Sequence, residues 1–433
     1  MTDFIPSQKY DAAAADYFQQ AKAAFKRGEL DHAEELCLRS AKIYEEAEND
    51  EVAKVYSKLG AISYWRGDLS AAEQWYWKSI KIDEGNKNYR STAATYHALS
   101  SAFFSREDYT TAEKWLRKSI SISERYGDEL VASPCYHQLG TIAYKREDLD
   151  AAEGWYQKSI AIDERHGKEH GAAKTYNNLS AVANARGDFE SAEQWLWKSI
   201  EIKERLGDLC GVAASYSQLG IVAYSHDNFA AAQKWYLKSL EIEEKLGNKR
   251  SMVYTCFGLC TNAQDQGDDE AAEQWMRRGL EICRQEGKPN EVITLGRRAE
   301  EALRFEFAER LYRESLEIAK ECENEPAEAS SYRRLGHLAV QQRDLEASKD
   351  WFRKALGVYQ KRGDMDSAAK CCLSLGNLCL SKTPDNKIDF AAAQQWFRKS
   401  LELNPNATWR ERIVLYARPW RYRLRSLLAR LGR

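Results

Sequence analysis

Proline is scarce in this chain, and long apolar runs are missing. Only 7 Pro and 24 Gly occur in 433 residues, below the usual shares of about 5% and 7%. Scarce proline with plentiful Ala, Glu and Lys favours long helices. No stretch of about 18 apolar residues is present, which excludes a membrane-spanning helix. The start, MTDFIPSQKY, lacks a basic patch followed by an apolar stretch, so no secretory leader is expected. An excess of either charge is also missing: 64 Lys and Arg stand against 66 Asp and Glu, a net charge of −2. That removes a bulk electrostatic reason to hold nucleic acid. The 10 Cys show no paired spacing and read as reduced thiols of a cytoplasmic protein, not as a disulfide framework.

Signatures of catalysis are absent as well. The chain has no Gly-rich phosphate loop, no Gly-x-Ser-x-Gly elbow and no His-Glu-x-x-His helix. Two metal-like patterns have plainer explanations. His166 and His170 flank Gly167 in an inter-helix loop, with no third ligand nearby. Cys256 and Cys260 fall on core positions of a helix, where thiols act as small apolar fillers. No enzyme, cofactor or metal centre is expected.

What is present is a repeat. Trp recurs at 75, 115, 155, 195, 235 and 275, always 40 residues apart, inside one phrase that reads AAEQWYWKSI or AAEGWYQKSI. Sixteen residues upstream of each Trp stand Leu59-Gly60, Leu99-Ser100, Leu139-Gly140, Leu179-Ser180, Leu219-Gly220 and Leu259-Cys260. Tyr recurs three residues before the first five of those leucines, and Gly closes units at 127, 167, 207, 247 and 287. Weaker copies put Leu36, Leu311, Trp351 and Trp396 in the Trp slot. Each unit predicts two helices with apolar residues at 3/4 spacing. A turn such as Arg66-Gly67-Asp68 separates them, and Gly ends the second helix at positive φ. The Trp ladder is expected to form inter-repeat core, because a large aromatic buries the most area. Length alone suggests about three domains. The period replaces that with a chain of ten helix pairs.

The Leu-Gly pair, the Gly-Asp turn, the small Ala72, Ala112, Ala152, Ala192, Ala232 and Ala272, and the closing Ser-Ile or Ser-Leu resemble the tetratricopeptide repeat (TPR) family. The 40-residue period is similar to the variant in kinesin light chain and related adaptors. The resemblance implies an all-α, right-handed α-solenoid, or superhelix, of about ten TPR helix pairs with a C-terminal capping segment. The expected organisation is a lead-in over 1–13, the solenoid over 14–405 with irregularities near 287–310 and 381–390, and a basic helical cap or tail over 406–433.

The resemblance further implies that the first helix of each pair lines a concave groove. Its slots then hold Tyr64, Phe104, Tyr144, Asn184, Tyr224 and Gln264, and, seven residues earlier, His97, His137 and Asn177. These neutral aromatics, imidazoles and amides suit an extended or helical peptide better than a carboxylate clamp. Aromatic packing between neighbouring helices is the structural alternative for the Tyr64 slot. The tail is arginine-rich with a single Glu, and Arg418, Arg421, Arg423, Arg425 and Arg430 could dock an acidic partner or cap the last repeat. The expected function is a non-catalytic protein–protein interaction scaffold or sensor that binds a peptide or protein in the groove. A role as regulatory subunit of a separate effector enzyme goes with it. The alternative is an RNA-binding helical-repeat protein that uses the basic tail.

Overall fold

A computed structural model describes residues 7–381 and 388–404. The described residues form twenty α-helices in two compact units, Met1–Ser239 and Leu240–Arg433. Unit 1 contains α1 (Ser7–Lys26), α2 (Leu30–Glu46), α3 (Val52–Trp65), α4 (Leu69–Gly85), α5 (Tyr89–Ser105), α6 (Tyr109–Arg125), α7 (Glu129–Lys145), α8 (Leu149–Arg165), α9 (Glu169–Ala185), α10 (Phe189–Arg205) and α11 (Leu209–Ser225). The boundary falls within α12 (Phe229–Leu246). Unit 2 continues with α13 (Lys249–Asp265), α14 (Asp269–Gln285), α15 (Pro289–Glu301), α16 (Phe305–Glu321), α17 (Glu325–Gln341), α18 (Leu345–Lys361), α19 (Met365–Leu380) and α20 (Phe390–Leu403). Odd-numbered helices are the first of each pair (A), and even-numbered helices the second (B).

The turn phrase works through capping. Asp68, Asp108, Asp148 and Asp188 each sit at an N-cap, and the carboxylate accepts from the backbone N–H three residues on. Asp268, Asp344, Asp364 and Asp389 repeat this in unit 2. Each cap satisfies one of the unpaired donors at a helix start, typically a contribution of about 1 kcal/mol.

The small residue after each A-helix leucine is a steric requirement. A Cβ on Gly60, Gly140, Gly220 or Gly296 would lie 2.6 Å from the ring of Tyr76, Tyr156, Tyr236 or Tyr312. Gly376 meets Phe397 at the same distance, and Gly336 meets Phe352 at 3.1 Å. Where the same slot holds Ser100, Ser180 or Cys260, the residue in the opposing slot is the slimmer Leu116, Leu196 or Met276. The volume shared by the two slots is thus held roughly constant along the chain, as close packing demands.

The serine of the Lys-Ser-Ile phrase pins B helices to the preceding A helix. Ser40, Ser119, Ser199, Ser239 and Ser315 are buried and donate to the carbonyls of Ala14, Ala93, Ala173, Ala213 and Pro289 at 2.7–3.0 Å.

The tryptophans depart from expectation. Trp75, Trp115, Trp155, Trp195, Trp235 and Trp275 are only half-buried. The residue after each, from Tyr76 to Met276, is the buried one. One step along a helix turns the side chain by about 100°, so the Trp lies at the edge of the core. There it stacks on the A-helix Tyr, with centroids 5.4–5.8 Å apart from Tyr56–Trp75 to Tyr216–Trp235. Lys78, Lys158, Lys198 and Lys238 cover the indole at 4.3–4.9 Å.

Unit 2 carries the irregularity. α15 has 13 residues where α13 and α17 have 17, and the missing turn is at its start. In unit 1 a turn arginine reaches the previous B helix: Arg106 pairs with Glu73 at 2.8 Å and Arg146 with Glu113 at 2.6 Å. The equivalent residue before α16 is Ala302. An open groove of about 790 Å³ lies at this place, with Gln264, Met276, Leu303, Phe305 and Phe307 in its walls.

Candidate functional site

In unit 1, successive A helices from α3 to α11 touch one another more closely than successive B helices do. The A side is therefore the inner side of the stack. In unit 1 its middle is built by α5, α7 and α9.

His137 on α7 is half-buried and reaches across to α9. Its Nδ1 lies 2.9 Å from Thr175 Oγ1, and its Nε2 lies 3.3 Å from Asn178 Nδ2. An Asn amide nitrogen is a donor, so Nε2 accepts and Nδ1 carries the proton. The ring also tilts against Tyr156 at 5.7 Å. His97 on α5 is half-buried one repeat earlier. Burial first, and then the ammonium of Lys174, pushes His97 down to about 4; His137 is held at about 4 by the same causes with His97 added. Both imidazoles are neutral at pH 7. Lys174 on α9 is exposed and has no carboxylate partner among the described residues.

Amides complete the surface. Ser100 Oγ donates to Gln138 Oε1 at 3.1 Å. Ser215 Oγ, which receives the buried ammonium of Lys203 at 2.8 Å, donates to Asn177 Oδ1 at 3.0 Å. Asn184 Nδ2 lies 3.4 Å from Ser225 Oγ, while its Oδ1 is buried and accepts no hydrogen bond. Buried acceptors without donors are uncommon in folded proteins.

The aromatic slot divides its surface between neighbour and solvent. Tyr64 donates to or accepts from Ser105 at 3.0 Å and packs on the cluster around Tyr76 and Tyr96. Phe104 lies 5.4 Å from Tyr109, Tyr144 packs on the cluster around Tyr156, and Tyr224 lies 5.8 Å from Phe229. All four are half-buried. Gln264 belongs to unit 2, where it lines the groove beside Leu303 and Phe305. The tail residues Arg418, Arg421, Arg423, Arg425 and Arg430 lie outside the described residues.

Several partners were missed in the sequence. Gln138 and Asn178 sit one position, and Thr175 two, from the slots that were read, and a wider register would have included them. Lys203 occupies a slot that varies between Asp83, Ser123, Asp163 and Glu243, so no single residue type marked it.

The metal-like patterns resolve into packing and loops. Cys256 and Cys260 are fully buried, and burial pushes both thiols up to about 12. His166 faces Glu129 at 3.0 Å, and His170 lies 3.8 Å from Asp208. Among the described residues no group of three ligand-type side chains converges. None of the described helices is long and apolar enough to cross a membrane.

A model of the tetratricopeptide repeat family matches residues 51–125, 91–165, 132–205, 171–245 and 293–361, more than half of the chain. The chain is a tetratricopeptide repeat protein. The comparison with curated proteins gives no match. Among solved structures, the TPR chain is similar to the apo form of RapI, with a TM-score of 0.52 and 16% identity over 63% of this chain and 97% of that one. It is similar in the same measure to aspartyl phosphate phosphatase F from Bacillus subtilis, with a TM-score of 0.52 and 11% identity over 64% and 71%. The kinesin light chain-like repeats of Podosopora anserina match at a TM-score of 0.40 and 15% identity over 46% and 98%. Identities this low make the first two likenesses of fold. The TPR assignment accounts for the paired helices, the Leu-Gly spacing and the inner A side together.

Proposed function

We propose that this TPR protein is a non-catalytic, cytoplasmic scaffold or sensor that takes a peptide segment of a protein partner on the A face of unit 1. The observation that carries the reading is a face of neutral imidazoles, amides and half-exposed rings, His97, His137, Asn184, Phe104 and Tyr144, with no fixed charge among them. The amides suit hydrogen bonds to a peptide backbone, and Tyr144 and Phe104 cover its apolar side chains. His97, His137 and Asn177 set the floor of the same surface, with Tyr64 and Tyr224 at its ends. The partner's own activity then supplies the chemistry, which fits a regulatory subunit of a separate effector enzyme.

The test is affinity capture from native lysate with the wild type and with Tyr144→Ala/Asn184→Ala. The expected result is loss of the captured partner with a melting temperature unchanged within about 2 °C, as for surface changes. Retained capture together with a melting point lowered by several degrees would sink the reading and make both residues stacking core.

A further inference from the structure

The outer, B side of unit 1 carries a stripe that packing between repeats does not require. Two positions after the Trp slot stand Leu38, Trp77, Arg117, Gln157, Trp197 and Leu237, and the position after these holds Arg39 or, from Lys78 to Lys238, a lysine. All are exposed. Leu38, Trp77, Trp197 and Leu237 are 36–45% exposed. A single exposed apolar residue is ordinary. These recur in one slot of α2, α4, α10 and α12 and so fall in a row on one face, and exposed apolar patches mark contact surfaces. Both indoles of the row are held in place. Trp77 stands edge-on to Trp115 and Tyr96, with ring centroids 5.0 and 6.2 Å apart. Trp197 stands in the same way to Trp235 and Tyr216, at 5.5 and 6.3 Å.

The charge around the row is cationic. Lys78, Lys158, Lys198 and Lys238 lie over the ladder indoles, and Lys114 and Lys234 cover Trp115 and Trp235 at 4.8 and 4.9 Å. None of them makes an ion pair among the described residues. Most acids nearby are engaged. Glu73, Glu113 and Glu153 are held by the turn arginines Arg106, Arg146 and Arg186. Glu35 and Glu241 pair with Arg39 and Lys245 at 2.5 and 2.6 Å. Glu84, Glu124 and Glu164 accept from the hydroxyls of Tyr96, Tyr136 and Tyr176. Glu193 and Glu201, beside Trp197, have no basic partner among the described residues. In unit 2 the same slot reads Arg277, Arg313, Arg353 and Arg398 without an apolar residue, and the first three pair with acids of their own helices.

Exposed indole and leucine beside unpaired lysines make the composition of a surface that lies on a bilayer. Indole has an apolar body and one N–H, and it settles at the level of the headgroups. Lysine stems lie along apolar surface while their ammonium groups reach lipid phosphates. We propose that the B side of unit 1 docks on the anionic surface of a membrane. Leu38, Trp77, Trp197 and Leu237 enter the headgroup boundary, and the lysines hold the lipid anions. An acidic helical peptide fits less well. Its anchors recur every three or four residues, whereas the anchors of the row lie on different helices, at least a helix diameter apart. Fluid headgroups demand no such register. A nucleic-acid strand uses open aromatic faces, and the ladder indoles Trp115 and Trp235 each have a Tyr stacked on them and a Lys over them. The row shares no residue with the A face, so the two readings can fail separately.

The experiment is sedimentation of the full chain with phosphatidylcholine vesicles, with and without one third phosphatidylserine. Binding to the mixed vesicles is expected, and it should fall as salt is raised. Trp77→Ala/Trp197→Ala should weaken it about 10-fold or more. Lys158→Gln/Lys198→Gln should weaken it by about 5-fold per lysine, which keeps the test valid if the Trp variant folds poorly. Lys174→Gln, the same change of charge on the A side, should leave it unchanged. Absence of binding to the mixed vesicles would overturn the proposal. Full binding by both the Trp and the Lys variants, in which the arginine-rich tail is intact, would overturn it as well. Tighter binding of single-stranded RNA or of a glutamate-rich peptide through Lys158 and Lys198, read by fluorescence anisotropy, would give the stripe to that partner and not to a membrane.

Discussion

Unit 1 repeats with a step of 40 residues and α5, α7, α9 and α11 of equal length, while unit 2 steps by 36, 40 and 45 and shortens α15 by a turn. The buried pair is nonetheless the same in both. Gly140 meets Tyr156 in unit 1 as Gly296 meets Tyr312 in unit 2. The exposed A-helix slots differ, with His137-Gln138 and Asn177-Asn178 in unit 1 and Arg333-Arg334 at the same register in unit 2. A stack of helix pairs constrains the residues that fill the space between layers and leaves the exposed slots free to vary. Repetition therefore reports packing, and departure from repetition is where binding chemistry is to be sought.

The largest effect should separate the two aromatic slots. Tyr156→Ala removes a fully buried ring and should destabilise by about 3–5 kcal/mol. Trp155→Ala removes a half-buried one and should cost about 1–2 kcal/mol. Tyr312→Ala and Trp351→Ala should reproduce the ranking in unit 2. Urea denaturation followed by circular dichroism measures all four. A Trp variant as damaging as its Tyr neighbour would show that the edge stack belongs to the core.

The next effect tests the shared volume directly. Gly140→Ser alone forces a side chain into the Tyr156 ring and should cost about 2–3 kcal/mol. Tyr156→Leu alone leaves a void and should cost about 2 kcal/mol. Together they copy the Ser180 and Leu196 pair, and the double variant should lose less than either single one. Simple additivity in this cycle would mean that the two slots do not share space.

The helix pairs, their number and their caps were legible in the sequence because each is enforced in every repeat. Asp148 must cap, Leu139 must be buried, and Gly140 must be small, so the pattern recurs and can be counted. The depth of Trp155 was not legible. Two adjacent large residues, Trp155 and Tyr156, carry the same periodic signal, and only the 100° step between them decides which points inward. On the candidate site, the slots of His137 and Asn177 could be read from register, but their partners Thr175, Asn178 and Ser215 lie on the next A helix, 38 to 41 residues away. Arg333 and Arg334 escaped because the slots were followed only to Gln264, and the 36-residue step hides the register beyond it.

A smaller effect concerns the slot behind the unit 1 face. Polar groups fill it from Asp83 to Glu243, with the buried Lys203 among them, and further along unit 2 they give way to Cys283, Ala319 and Tyr359. Burial lowers the Lys203 ammonium to about 8, against the weaker opposing pull of Asp208. An unfolded lysine titrates near 10.4, so between about pH 8 and about pH 10.4 the unfolded chain binds more protons than the folded one. Stability from this group therefore rises with pH across that window, and at pH 7 its full cost is present. Lys203→Met should stabilise the protein by about 1–2 kcal/mol at pH 7, with a smaller advantage at pH 9.5. Denaturation curves at the two pH values give the comparison. An advantage that grows with pH would show that Lys203 contributes favourably as a charge.

The smallest effect lies at the turn of the irregular repeat, where Leu303 stands at a left-handed position that other repeats fill with Gly, Glu, Asp or Arg. Leu303 holds φ at 60° and is 74% exposed, whereas Gly67, Gly187 and Gly267 take the equivalent position at φ of 74–83°. A branched side chain in the left-handed region carries a penalty of about 1–2 kcal/mol, and glycine escapes it at some cost in chain entropy. Leu303→Gly should therefore raise stability by about 0.5–1 kcal/mol, and the reciprocal Gly187→Leu should lower it by about 1 kcal/mol or slightly more. Thermal melts of the two variants beside wild type measure the difference. Opposite signs place the cost in the backbone of the turn. If Leu303→Gly destabilises instead, the leucine is held by its contacts with the groove beside Phe305, and the irregular turn is then a packed feature of unit 2 and not a strained one.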